Sequence, residues 1–96
     1  MEVIWSPRAT AEFGARVQWL EQNLGQRQAR RYLEEVLAAL EKIINPRSQY
    51  RLVKEKPETR CCPVNGQIKL YYRPGKQSIE LVTFFDARQD PGRLKL

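Results

Sequence analysis

The sequence predicts an α+β fold in which an N-terminal strand is followed by an antiparallel helical hairpin packed on one face of an antiparallel β-sheet. Between Pro7 and Ile44 apolar residues recur at helical spacing around one break at Gly25, and beyond Pro46 the spacing changes to the alternation of strands. The Asn65-Gly66 pair between two alternating runs then marks a hairpin in the second half. With 96 residues the chain is expected to be a single domain, 1–96, because its apolar side chains cannot fill two cores.

Glu2-Val3-Ile4-Trp5 reads as a short strand of β-branched and aromatic residues. Ser6 suits an N-cap, and Pro7 suits the first helical position, where its missing N–H costs nothing. Ala9, Phe13, Val17, Leu20 and Leu24 form the apolar stripe of the first helix, which stops at Gly25. Gly14 weakens that helix unless another backbone packs against it. A wider stripe, Ala29, Tyr32, Leu33, Val36, Leu37, Leu40, Ile43 and Ile44, defines a second helix ended by Asn45-Pro46. So short a connection allows only an antiparallel hairpin with both stripes turned toward a common partner, and the two tryptophans, Trp5 and Trp19, read as core or helix-seam residues.

In the second half a strand is expected near Tyr50 to Val53, then a polar stretch from Lys54 to Thr59. Asn65-Gly66 implies a two-residue type I′ turn that sets Pro63 opposite Ile68. Pro74-Gly75-Lys76-Gln77 turns the chain into a last strand from Ser78 to Phe85, followed by a polar tail. Alternation places Cys61, Ile68, Leu70, Tyr72, Ile79, Leu81, Thr83 and Phe85 on the face under the helices. Arg60, Cys62, Lys69, Tyr71, Arg73, Glu80, Val82, Phe84 and Asp86 fall on the other, which no third helix remains to cover.

Charge sharpens this division. Seventeen Lys and Arg against eleven Asp and Glu give +6, and residues 1–46 are balanced, so the whole excess lies in the second half. With Arg73 opposite Ser78, Tyr71 sits between Arg60 and Glu80 with Lys69 nearby, and Arg88 reaches the same surface. Cations around an exposed aromatic suit a polyanion, although they equally suit an ordinary solvated sheet face.

Several classes are excluded. No apolar run is long enough to span a bilayer and the N-terminus lacks the order of a secretory signal, so a cytoplasmic protein is expected. There is no histidine, which removes His triads, His general bases and metal sites of the usual spacing. Cys61 and Cys62 are adjacent and read as free thiols.

Four motifs then combine: Val3-Ile4-Trp5-Ser6-Pro7-Arg8-Ala9, Ala29-Arg30-Arg31-Tyr32, Ile68-Lys69-Leu70-Tyr71-Tyr72-Arg73, and Phe85-Asp86-Ala87-Arg88-Gln89-Asp90-Pro91. In this order and spacing the chain resembles the RelE/ParE superfamily of toxins from bacterial type II toxin–antitoxin pairs. The resemblance implies a helical hairpin on an antiparallel sheet, no metal or cofactor, and a toxin–antitoxin hetero-oligomer. The antitoxin would lay an apolar helix or strand on the hairpin or a sheet edge. RelE-like members cut ribosome-bound mRNA, whereas ParE-like members trap DNA gyrase. For the nuclease, the resemblance implies Lys69, Tyr71, Arg73 and Arg88 as catalytic residues, but Leu94 stands where an aromatic is expected. Arg88-Gln89-Asp90 with Arg93-Leu94 is similar to the ParE-like ending, which implies gyrase contact through Arg60, Lys69, Tyr71, Arg73, Arg88 and Arg93. A non-toxic relative is the third expectation.

Overall fold

A computed structural model describes residues 2–45, 51–53 and 56–96. The elements are β1 (Glu2–Trp5), α1 (Pro7–Leu24), α2 (Gln26–Ile44), β2 (Arg51–Val53), β3 (Lys56–Pro63), β4 (Ile68–Pro74) and β5 (Ser78–Asp86), with a short 3₁₀ turn at Pro91–Arg93. Pro46, Tyr50, Lys54 and Glu55 lie outside the described residues. The rest of the expected polar stretch, Lys56 to Thr59, is strand, because it pairs within the sheet as the start of β3.

Ser6 ties the first strand to the first helix. Its Oγ accepts from Ala9 N at 3.0 Å and donates to the Val82 carbonyl at 2.9 Å, so one side chain caps α1 and docks it on β5. Only Gly25 separates α1 from α2, with φ +91° and ψ 168°, a conformation that side chains with a Cβ rarely adopt. By contrast, a Cβ on Gly14 would meet nothing within 4 Å, so the close approach that would justify this glycine is not present. We therefore expect opposite signs in urea denaturation. Gly14→Ala should stabilise by up to about 1 kcal/mol, and Gly25→Ala should destabilise by about 1–3 kcal/mol.

The strand order is β1-β5-β4-β3-β2. Strands β2 to β5 pair antiparallel, while β1 joins the edge parallel to β5, making the sheet mixed. Between sheet and helices lies the main core, where Ala9, Leu20, Ala29, Tyr32, Val36, Ala39 and Ile43 meet Cys62, Ile68, Leu70, Tyr72, Ile79, Leu81 and Phe84. Trp5, Phe13, Tyr32 and Phe84 form a chain of ring contacts within it, with centroids 5.4–6.0 Å apart. The helical stripes are broader than this core: Trp19, Leu24, Leu33, Leu37 and Ile44 are exposed.

Two features of register change the expected faces. No residue other than Gly25 has positive φ among the described residues, which excludes a type I′ turn at Asn65-Gly66. Instead Asn65 Oδ1 accepts from the backbone N–H groups of Gln67 and Ile68, both at 2.8 Å, in a four-residue connection. Pro63 consequently faces Lys69, one residue from the expected register, and Cys62 rather than Cys61 enters the core. Between Tyr71 and Tyr72 the pairing with β5 also shifts, and this irregularity sends Phe84 to the helices and Phe85 to the opposite face. Thr83 is buried and reaches α1, its Oγ1 donating to the Glu12 carboxylate.

The face away from the helices is covered around its centre, against expectation. Tyr71, Val82 and Phe85 are buried there, with Cys61, Leu94 and Leu96 packed against them. The C-terminal tail supplies this cover, and Arg8 Nη1 donates to the Lys95 carbonyl where the tail passes α1.

Candidate functional site

The expected cluster around Tyr71 is redistributed. Lys69 is exposed on β4 opposite Pro63 and Phe85. Arg60 pairs across from Tyr72 and lies two residues from Cys62, so it shares the helix-side face with these core residues instead of flanking Tyr71, whose neighbours are Cys61 and Thr83. Arg73 pairs with Glu80 rather than Ser78, because the β4–β5 turn closes tightly with Gly75 N donating to the Ser78 carbonyl at 2.7 Å. Its Nε donates to Thr59 Oγ1 at 3.2 Å, and its Nη1 lies 3.4 Å from Glu80 Oε1. These partners occupy the guanidinium that the sequence offered to a polyanion.

Arg88 lies just beyond β5. Asp86 accepts from its backbone N–H at 2.9 Å and from Nε and Nη2 at 3.1 and 2.9 Å, and Arg16 Nη1 lies 3.6 Å from the same carboxylate. Hydrogen bonds from Arg88, reinforced by both guanidinium charges, hold the Asp86 carboxyl below the usual range. Arg88 itself remains exposed, as does Arg93 in the 3₁₀ turn that Asp90 caps through Gly92 N. Of the five cations expected at the site, three face solvent: Lys69 on the sheet, and Arg88 and Arg93 along the tail.

Tyr71 carries a different signature. It is only 9% exposed, and burial, together with the Cys61 thiol beside it, pushes its phenol up to about 12. Tyr32 is likewise pushed up to about 12, chiefly by burial. Both phenols are therefore neutral at physiological pH. A raised folded value means the folded state holds its protons after the unfolded chain has lost them. Stability should accordingly fall as pH rises from about 10 toward 12. Ultraviolet titration checks this: two tyrosines should ionise late, together with alkaline unfolding.

Sequence reasoning missed Glu12 and Arg16; it placed Tyr32 in the core-facing stripe of α2, where the residue lies, but gave its hydroxyl no role. Glu12 and Arg16 lie one helical turn apart on α1 beside the apolar stripe, where polar residues read as solvent-facing. Nothing local signals that Thr83 and the β3–β4 connection reach them.

A model of the ParE toxin of the type II toxin–antitoxin system, parDE, matches residues 3–91. The chain belongs to the ParE toxin family. It is thus a toxin of a type II toxin–antitoxin system in the wider ParE/RelE superfamily, and the family implies an antitoxin partner. No curated protein matches it. Among solved structures, this ParE-family chain is similar to one from the chromosomal ParDE system of P. aeruginosa. The two share 14% identity and a TM-score of 0.73, over 90% of this chain and 95% of that one. It is also similar to the YoeB dimer from Staphylococcus aureus, at 13% identity and TM-score 0.64, over 88% and 93% of the two chains. A third is the YoeB/ParE toxin from Agrobacterium tumefaciens, at 11% and 0.64, over 90% and 98%. At these identities the likeness establishes the shared α+β fold. No helix among the described residues is long and apolar enough to cross a membrane.

Proposed function

We propose that this ParE-family toxin inhibits growth by binding and poisoning DNA gyrase, with an acidic antitoxin neutralising it. The observation that carries this reading is the condition of Tyr71. RNA cleavage by 2′-OH attack needs groups that move protons near neutral pH. The phenol at the centre of β4 belongs to the buried cluster against which Leu94 and Leu96 pack, and its proton is held up to about 12. The chain has no histidine to replace it, and Arg73 is engaged by Glu80 and Thr59.

A binding toxin has different needs, and exposed Lys69 and Arg93 serve them by offering charge to an acidic protein surface or to gyrase-bound DNA, with Arg88, braced by Asp86, exposed beside them. On the opposite side, exposed Trp19, Leu24, Leu33, Leu37 and Ile44 give the hairpin an apolar surface suited to an antitoxin helix.

The test is the phenotype on induction without antitoxin. Filamentation with a DNA-damage response is expected, and Tyr71→Phe should retain it. Arrested translation with mRNA cut at codon positions would transfer the chain to the nuclease class, and normal growth would make it a non-toxic relative.

A further inference from the structure

Arg16 of α1 and Tyr32 of α2 meet beside the β3–β4 connection. Arg16 Cζ lies 5.9 Å from the Tyr32 ring centroid, and its Nη2 donates to Gln67 Oε1 at 2.8 Å. Among the described residues, two solvent-shielded side-chain polar atoms lack a hydrogen-bond partner, and they belong to these neighbours: Arg16 Nε and the Tyr32 hydroxyl. Tyr32 is 3% exposed. Shielded donors without acceptors are costly and rare, so two side by side call for a ligand with acceptor atoms.

Both side chains line a groove of about 510 Å³, with Arg31 and Arg88 at its sides and Trp19 and Leu24 as apolar wall. Asp86 partly offsets Arg88 and Arg16, which leaves Arg31 and the unpartnered Arg16 Nε to favour a negative acceptor, and the N–H and O–H donors of Arg16 and Tyr32 suit the two oxygens of a carboxylate. The wall favours an occupant with an apolar side chain beside that charge, because Trp19 and Leu24 are 52% and 57% exposed. Glu35 also lines the groove, held by Asn65 Nδ2 at 3.2 Å, and its charge disfavours the dense phosphates of a nucleic acid.

We propose that this groove is a docking subsite for an acidic peptide segment, whose carboxylate is taken by Arg16 and Tyr32 while a neighbouring apolar side chain lies on Trp19 and Leu24. Entry requires the Arg16 guanidinium to turn from both Gln67 and Asp86 toward the groove, so the incoming carboxylate exchanges with Asp86. The Tyr32 phenol, with its proton held to about 12, stays a donor throughout the physiological range. The subsite is independent of whether gyrase or the ribosome is the target.

The experiment follows the Trp19 indole N–H by NMR in the full chain during titration with a blocked Leu-Glu-Ala-Leu tetrapeptide, its Leu-Gln-Ala-Leu analogue, and pentathymidylate. The Glu peptide should shift the signal, and the Gln peptide should bind at least tenfold more weakly. Tyr32→Phe should weaken the Glu peptide about tenfold while raising the Tm of the free protein, since it removes an unpartnered hydroxyl. Arg31→Gln, on the exposed helix surface, should weaken the peptide about threefold with Tm unchanged.

Equal binding of the two peptides would overturn the proposal, as would failure of both variants to weaken the Glu peptide. A lower Tm for Tyr32→Phe with binding intact would make the hydroxyl purely structural. Tighter binding of pentathymidylate, lost in the same variants, would make the groove a nucleic-acid site.

Discussion

Glu12→Ala is expected to destabilise the protein by about 3 kcal/mol, measured by urea denaturation. The Glu12 carboxylate accepts from Thr83 Oγ1 at 2.7 and 2.8 Å and from Phe84 N at 3.0 Å, with Arg8 Nε 3.4 Å away. Thr83 is fully buried at the point where β5 leaves regular pairing, and the Glu12 carboxylate is the acceptor its hydroxyl meets there. Two donors are left unpaired, each worth about 1–3 kcal/mol when buried. Glu12→Gln keeps one acceptor oxygen and should lose about half as much. Combining Glu12→Ala with Thr83→Val removes one stranded donor and should recover part of the loss. A cost below about 1 kcal/mol for Glu12→Ala would show that the β5 irregularity holds itself.

Removal of Pro91–Leu96 is expected to abolish growth inhibition while the remaining chain stays folded. The deletion takes away Arg93, one of the three exposed cations of the candidate site, and the apolar cover of Leu94 and Leu96. Uncovering Val82 and Phe85 should cost about 2 kcal/mol, since both leucines are only partly buried. With the cover gone, the Tyr71 phenol should titrate closer to 10, which ultraviolet titration reads directly. Leu94→Ala with Leu96→Ala, keeping Arg88 and Arg93, separates the two effects. Tyr71 should move in this variant, and toxicity should largely persist. A truncated chain that remains fully toxic would remove the tail from the target surface.

Punctuating residues carried much of the architecture. Ser6-Pro7, Gly25 and Asn45 mark helix ends through local chemistry, which is why both helices fall where the pattern places them. Strand faces are less legible, because a shift of one residue exchanges them entirely. Asn65-Gly66 carries the strongest local hairpin signal, yet the Asn65 side chain makes the turn itself, and that single residue of register exchanges Cys61 with Cys62. The β5 irregularity exchanges Phe84 with Phe85 for the same reason, and Glu12, which accepts from the Phe84 N–H there, lies on another element.

Only part of the candidate site was legible. Lys69, Arg88 and Arg93 are polar on any reading and stand exposed. Tyr71 and Arg73 are on the expected strand, but their environment depends on contacts absent from strand periodicity: a tail that folds back over Tyr71, and Thr59 and Glu80 beside Arg73. Arg16 and Tyr32 escaped notice for a related reason. Tyr32 fitted the apolar stripe of α2, and nothing in that pattern tells whether a buried hydroxyl finds a partner.

The most direct measurement adds purified toxin to purified DNA gyrase with relaxed plasmid and follows supercoiling. Supercoiling should be lost or cleaved DNA should accumulate in proportion to toxin, with reversal by the cognate antitoxin. Unimpaired supercoiling, together with cleavage of ribosome-bound mRNA by the same preparation, would contradict gyrase poisoning and make the chain a ribonuclease.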